Sequence, residues 1–162
     1  MRSSFRMLLL NVVLSLASFG QPVTYVSPGI TLSLNTNGYL VISPKISLGI
    51  LRHDGFYNIT YGKAWSWDTT AYPHSFVELQ YGRQSSKVQY QKQPLFVGGG
   101  VGITIPSLKS GGKSSFRFTA FTGFLYFLNA TLLIADPVQA DFGGQIVLPI
   151  PLSGFEIGNL NG

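Results

Sequence analysis

Hydrophobic and polar positions alternate with a period of two along most of this chain, the repeat of an extended strand whose side chains face opposite sides. Ile30, Leu32 and Leu34 alternate with Thr31, Ser33 and Asn35, and Thr36-Asn37-Gly38 then supplies a tight hairpin signal. Leu40, Ile42, Ile46, Leu48 and Ile50 alternate with Val41, Ser43, Lys45, Ser47 and Gly49, up to a second turn signal at His53-Asp54-Gly55. Tyr57, Ile59, Tyr61, Trp65 and Trp67 follow, interleaved with Asn58, Thr60, Gly62, Ala64 and Ser66. Three alternating runs joined by short turns predict an antiparallel meander. Pro28 and Pro44 lack a ladder donor, so they predict a bulge or a strand start.

The alternation continues after a loop at 68–73. Val77, Leu79 and Tyr81 oppose Glu78, Gln80 and Gly82, and the polar stretch 84–94 reads as a longer connection or as strand ends. Leu95, Val97, Val101, Ile103 and Ile105 oppose Phe96, Gly98, Gly100, Gly102 and Thr104. A loop over 106–113 precedes Phe116, Phe118 and Ala120, which alternate with Arg117 and Thr119. Residues 118–135 carry no charge and are long enough for a membrane helix. Their Phe and Thr content, with Gly123, Asn129 and Thr131, instead predicts the end of a sixth strand, a turn at 128–131 and a short seventh strand. Asp136-Pro137 is read as a turn, and Phe142, Ile146, Leu148, Ile150 and Leu152 mark the last run.

The N-terminus differs from the rest. Arg2 and Arg6 precede the apolar run Met7-Leu-Leu-Leu-Asn-Val-Val-Leu-Ser-Leu16, and Ser18-Phe19-Gly20 offers small residues for cleavage before Gln21. That layout predicts a signal peptide over 1–20 and export of a barrel domain over 21–162. Charged residues make up 10% of the 162, where soluble domains carry about 25%. The net charge of +5 is scattered along the chain, without the basic face that nucleic acid requires. The absence of cysteine excludes disulfides, thiolate catalysis and cysteine metal sites.

These features predict an all-β fold: an antiparallel up-and-down meander closed into a small transmembrane β-barrel of about eight strands. The polar face of each strand is Ser, Thr, Asn, Gln and Gly, and the other face is aliphatic and edged with aromatics. Such a division suits lipid outside and a hydrogen-bonded centre within. In this pattern the chain resembles the small eight-stranded outer-membrane barrels of Gram-negative bacteria. Asp141-Phe-Gly143-Gly-Gln-Ile146-Val-Leu148 is similar to the assembly signal in their final strand. The resemblance implies residence in the outer membrane, the lipid bilayer as partner, and a monomer.

Strand parity places Lys45, Glu78 and Arg117 on the inner face, where one carboxylate between two cations would form a structural network. Trp65, Trp67 and Tyr72 are expected to form an interfacial aromatic belt. Lys63 falls on the lipid-facing parity, so it either snorkels from high in its strand or is moved inward by a bulge. The expected role is non-enzymatic, structural or surface-interacting, with a filled interior and no cofactor or metal. One alternative is a soluble secreted β-sandwich or lipocalin-like binder. The other is a lipid-modifying hydrolase using His74 and Ser75, which resembles the His-x-Ser arrangement of barrel deacylases but lacks its spacer. The Gly-rich run Gly98–Gly102 lacks the Lys-Ser/Thr of a phosphate loop. Asn58-Ile-Thr60 and Asn129-Ala-Thr131 match glycosylation acceptors but lie in strand-like runs.

Overall fold

A computed structural model describes residues 22–66, 74–90, 93–106, 113–135 and 137–152, and their side chains outside 86–94. The strands are β1 (Val23–Asn35), β2 (Leu40–Arg52), β3 (Gly55–Ser66), β4 (His74–Tyr90), β5 (Gln93–Pro106), β6 (Phe116–Gly123), β7 (Tyr126–Ile134) and β8 (Gln139–Val147), followed by the two-residue β9 (Ile150–Pro151). Each strand pairs antiparallel with its neighbour in sequence, and β8 pairs back onto β1 between Gly29↔Val147 and Asn35↔Asp141. The eight-stranded meander is therefore a closed β-barrel. The short β9 continues the β8 path along the start of β1.

Closure has a measurable stagger. Paired residues run from Phe56 through Gly82, Gly98, Phe121, Asn129, Gly143, Ser33 and Val41, and return to β3 at Ser66, ten residues further along. For eight strands this shear corresponds to a tilt of about 40°. Two unlike ends result. One, the turn end, carries the β2–β3, β4–β5 and β6–β7 connections, each of two residues. The other, the loop end, carries the longer connections 36–39, 67–73, 107–115 and 135–138.

At the loop end, Asn35 caps the β1–β2 hairpin. Its Oδ1 accepts hydrogen bonds from the backbone N–H of Asn37 (3.0 Å) and Tyr39 (2.8 Å), and Gly38 takes the positive φ of 82° that the turn requires. The β6–β7 turn lies at Phe124-Leu125 rather than at 128–131. Gly123 permits it: a Cβ there would stand 2.1 Å from the Tyr126 carbonyl oxygen. Asn129, a turn former by type, instead sits mid-strand with its side chain turned inward and buried. Pro44 produces no bulge. The β2–β3 ladder lapses at Ser43 and Pro44 and resumes in the same register at Lys45↔Gly62. Pro28 marks where β8 gives way to β9, and its carbonyl accepts from the Leu148 N–H at 3.0 Å.

The two faces have the sense that the alternation predicts. Ile30, Leu32, Leu34, Leu48, Ile59, Leu79, Val101 and Ile103 point outward and are exposed, whereas Thr31, Ser33, Ser43, Ser47, Thr60, Glu78, Thr119 and Thr131 point inward and are buried. Inner glycines are the sockets of this packing. Gly62 receives the Phe76 ring, and a Cβ there would lie 2.3 Å from Phe76 Cζ. Phe76 is 2% exposed and has no room to retreat, so Gly62→Ala should lower the unfolding free energy by about 1–3 kcal/mol. Urea titration checks this, and Phe76→Leu in the same chain should restore part of the loss.

Candidate functional site

The interior falls into layers because the inward residues change type along each strand. In the middle, polar side chains from β1, β2, β3, β4, β6 and β7 join into one hydrogen-bonded plug. The Tyr25 hydroxyl donates to Asn58 Oδ1 at 2.5 Å, and Asn58 Nδ2 donates to Gln80 Oε1 at 3.4 Å. Gln80 Oε1 also accepts from Thr60 Oγ1, which lies 2.7 Å from Ser47 Oγ. Gln80 Nε2 donates to Glu78 Oε1 at 2.7 Å. Glu78 Oε2 accepts from Arg117 Nε at 2.8 Å and from Thr119 Oγ1 at 2.9 Å. Arg117 Nη2 continues the chain to Thr131 Oγ1.

Glu78 is 1% exposed and belongs to the ion pair with Arg117. Gly100 and Gly102 make its place: a Cβ on Gly100 would lie 2.4 Å from Glu78 Oε1, and one on Gly102 would press on the Glu78 backbone and Cβ. The Arg117 guanidinium also lies over the Phe76 ring, 4.2 Å from its centroid. Lys45 shares the interior but hydrogen-bonds Gln145 Oε1 past the intervening β1, reaching Glu78 only through its field. Asp141, named in the sequence only as the start of the assembly-signal match, is the second buried acid among the described residues and interacts electrostatically with Arg117. Its inward parity on β8 was the available signal.

Toward the turn end the interior becomes apolar. Phe56, Phe121 and Phe127 form a buried cluster flanked by Leu51, Phe96 and Val147. Phe56 and Phe121 stack at 5.8 Å, Phe121 meets Phe127 edge-on at the same distance, and Phe96 stacks on Phe124 at 6.4 Å. Together they wall a cavity of about 80 Å³ whose floor includes Tyr25, Lys45, Asn58 and Gln145. Sequence reasoning missed this cup. Its signal was phenylalanine on the inner parity, at positions whose strand neighbours on the same face are Asn, Gln and Thr.

Trp65 points outward at the loop end, with Lys63 Nζ 5.3 Å from its ring centroid. Lys63 thus stays on the outer face, and the β3–β4 ladder runs past it in even register. Trp67 and Tyr72 lie outside the described residues. His74 and Ser75 are consecutive on β4, so their side chains leave opposite faces of the barrel wall. Ser75 Oγ accepts from the Tyr61 hydroxyl at 3.2 Å on the outer face. Asn58 and Asn129 both face the interior, which has no room for a glycan. No cluster of three or more His, Asp or Glu among the described residues could hold a metal ion.

The plug makes a direct prediction. Glu78→Ala leaves Arg117 buried without its carboxylate and should destabilise the barrel by about 3–5 kcal/mol. Replacing both partners with apolar residues of similar volume should cost much less. Urea unfolding of the two variants tests this, and an unchanged midpoint for Glu78→Ala would remove the network's structural role. Comparison of the chain with protein-family models, with curated proteins and with solved structures finds no match in any of the three.

Proposed function

We propose that the mature chain is a non-enzymatic outer-membrane β-barrel with a filled interior, serving a structural or surface-interaction role. The outer surface carries this reading. Leu48 is 55% exposed, Leu79 60% and Val101 55%, while Thr60 and Glu78 inside are at 0% and 1%. A soluble lipocalin-like barrel or sandwich would bury the first set and wet the second. A continuous apolar surface around the whole circumference far exceeds the patches that soluble monomers tolerate. At a tilt of about 40°, eight to ten residues of outward-facing strand span on the order of 20–25 Å, matching the apolar band of outer-membrane barrels.

The rims fit the same reading. Tyr57, Tyr81 and Tyr126 stand outward near the turn end, and Tyr39 and Trp65 near the loop end, where aromatic side chains suit a membrane interface. On the strands, the charged outward side chains among the described residues are Arg52 and Arg83 near the turn end and Lys63 near the loop end. Arg52 lies over the Tyr57 ring at 5.7 Å, a position from which its head reaches the rim. No helix among the described residues is long and apolar enough to cross a membrane, which leaves strands as the spanning elements of this proposal. Short turns on one end and longer loops on the other suit a turn end facing the periplasm. The signal peptide over 1–20 would supply the route there, and the mid-barrel plug argues against a general pore.

The reading predicts that the chain fractionates with outer membranes as a detergent-requiring monomer whose gel mobility changes on heating. Recovery in the soluble fraction without detergent would overturn it. Leu79→Arg, in the middle of the outer band, should cost about 2–4 kcal/mol for folding into lipid vesicles. The hydrolase alternative requires a lipid deacylase activity that His74→Ala abolishes.

A further inference from the structure

The apolar cup lies directly above the hydrogen-bonded middle layer of the interior. It opens toward the turn end, and the polar plug closes it below, so it is blind. We infer that it binds an unbranched monocarboxylate of short to medium chain length, with the carboxylate on Lys45 and the alkyl chain among Phe56, Phe121 and Phe127.

Three observations fix that chemistry. The first is size. The cavity measures about 80 Å³, whereas an apolar cavity of about 150 Å³ is enough to hold benzene. The cup takes the head and first methylenes of a slender chain, whose remaining carbons lie in the open mouth beside Phe124 and Leu125, and it has no width for a ring system or a branched lipid. The second is the wall: phenyl faces and edges from β3, β5, β6, β7 and the 124–125 turn offer dispersion contacts and no polar partner. The third is the floor. Lys45 carries three donors, and its hydrogen bond goes to the neutral Gln145 amide. The nearby Glu78 spends both oxygens on Gln80, Arg117 and Thr119. An acid entering head-first would give Lys45 an anion of its own, and the Ser27 hydroxyl lines the same floor. At the floor Lys45 is the cation at hand, because Arg117 is held by Glu78 and Arg52 and His53 border the cavity only at its turn-end mouth, and one cation favours a carboxylate over a phosphate or a dicarboxylate.

This inference rests on the interior geometry and not on the membrane reading, so fractionation can fail while binding stands. The test titrates the folded full-length barrel, in lipid nanodiscs or, should it fractionate as a soluble protein, in buffer, with hexanoate and with 1-hexanol at neutral pH, following the methyl NMR signals of Leu51 and Val147. Hexanoate should shift both signals saturably, and hexanol should bind about tenfold more weakly or worse. Lys45→Met should bring hexanoate down to the level of hexanol, while Lys63→Met on the outer face should change nothing. An unchanged β-sheet circular dichroism spectrum shows that each variant is folded. Should Lys45→Met fail to fold, Val147→Trp, which fills the cup and leaves Lys45 in place, should abolish saturation by both probes. Equal affinity for acid and alcohol, undiminished hexanoate binding in the variants, or no saturable shift at Leu51 and Val147 would each overturn the assignment.

Discussion

The pairing of β8 with β1 is the constraint on which the rest of this structure depends. An open eight-stranded meander would leave two rows of unsatisfied N–H and C=O groups. Here Gly29↔Val147 through Asn35↔Asp141 joins those rows, and β9 extends the seam toward the start of β1. Closure with a stagger of ten residues converts a simple alternation into an inside and an outside. Once that has happened, the parity of a residue decides whether it meets the centre or the surroundings. A slip of one residue would exchange the two sets.

The interior then has to be filled, and the sequence does so with complementary volumes. Strand glycines face large side chains from the neighbouring strand: Gly62 opposite Phe76, Gly82 opposite Phe56, Gly98 beside Phe121, and Gly100 and Gly102 around Glu78. Small residues are thus placed where a ring or a carboxylate arrives from next door. The charged groups follow the same logic. Arg117 is paired with Glu78 and interacts with Asp141, whereas Lys45 hydrogen-bonds the neutral Gln145 amide. In an enclosed, low-dielectric centre such pairing matters, since an unpaired charge there is expensive.

Function follows from how these two sides differ. The outside is a continuous apolar band with aromatic rims, which supports the proposed membrane setting. The inside, among the described residues, holds a polar plug with an apolar recess toward the turn end, where the proposed acid would sit. The catalytic alternative gains little from this arrangement. Consecutive strand residues such as His74 and Ser75 cannot converge on one reacting atom, because the wall of the barrel lies between their side chains.

The amino-acid sequence alone determined the all-β class, the antiparallel order of strands and the face to which each side chain belongs, because period-two alternation is a local signal read from neighbouring residues. It also placed Lys45, Glu78 and Arg117 on one face. It misplaced the β6–β7 turn, since Asn129 is a turn former by type and only its position inside the closed barrel explains why it lies mid-strand. Tertiary structure decided which inward residues meet. Shear sets the heights at which strands distant in sequence face one another, so that Lys45 reaches Gln145 instead of Glu78. Phenylalanines from β3, β5, β6 and β7 likewise converge at one end. Those distances depend on the stagger of every strand pair around the ring, and no single stretch of sequence encodes it.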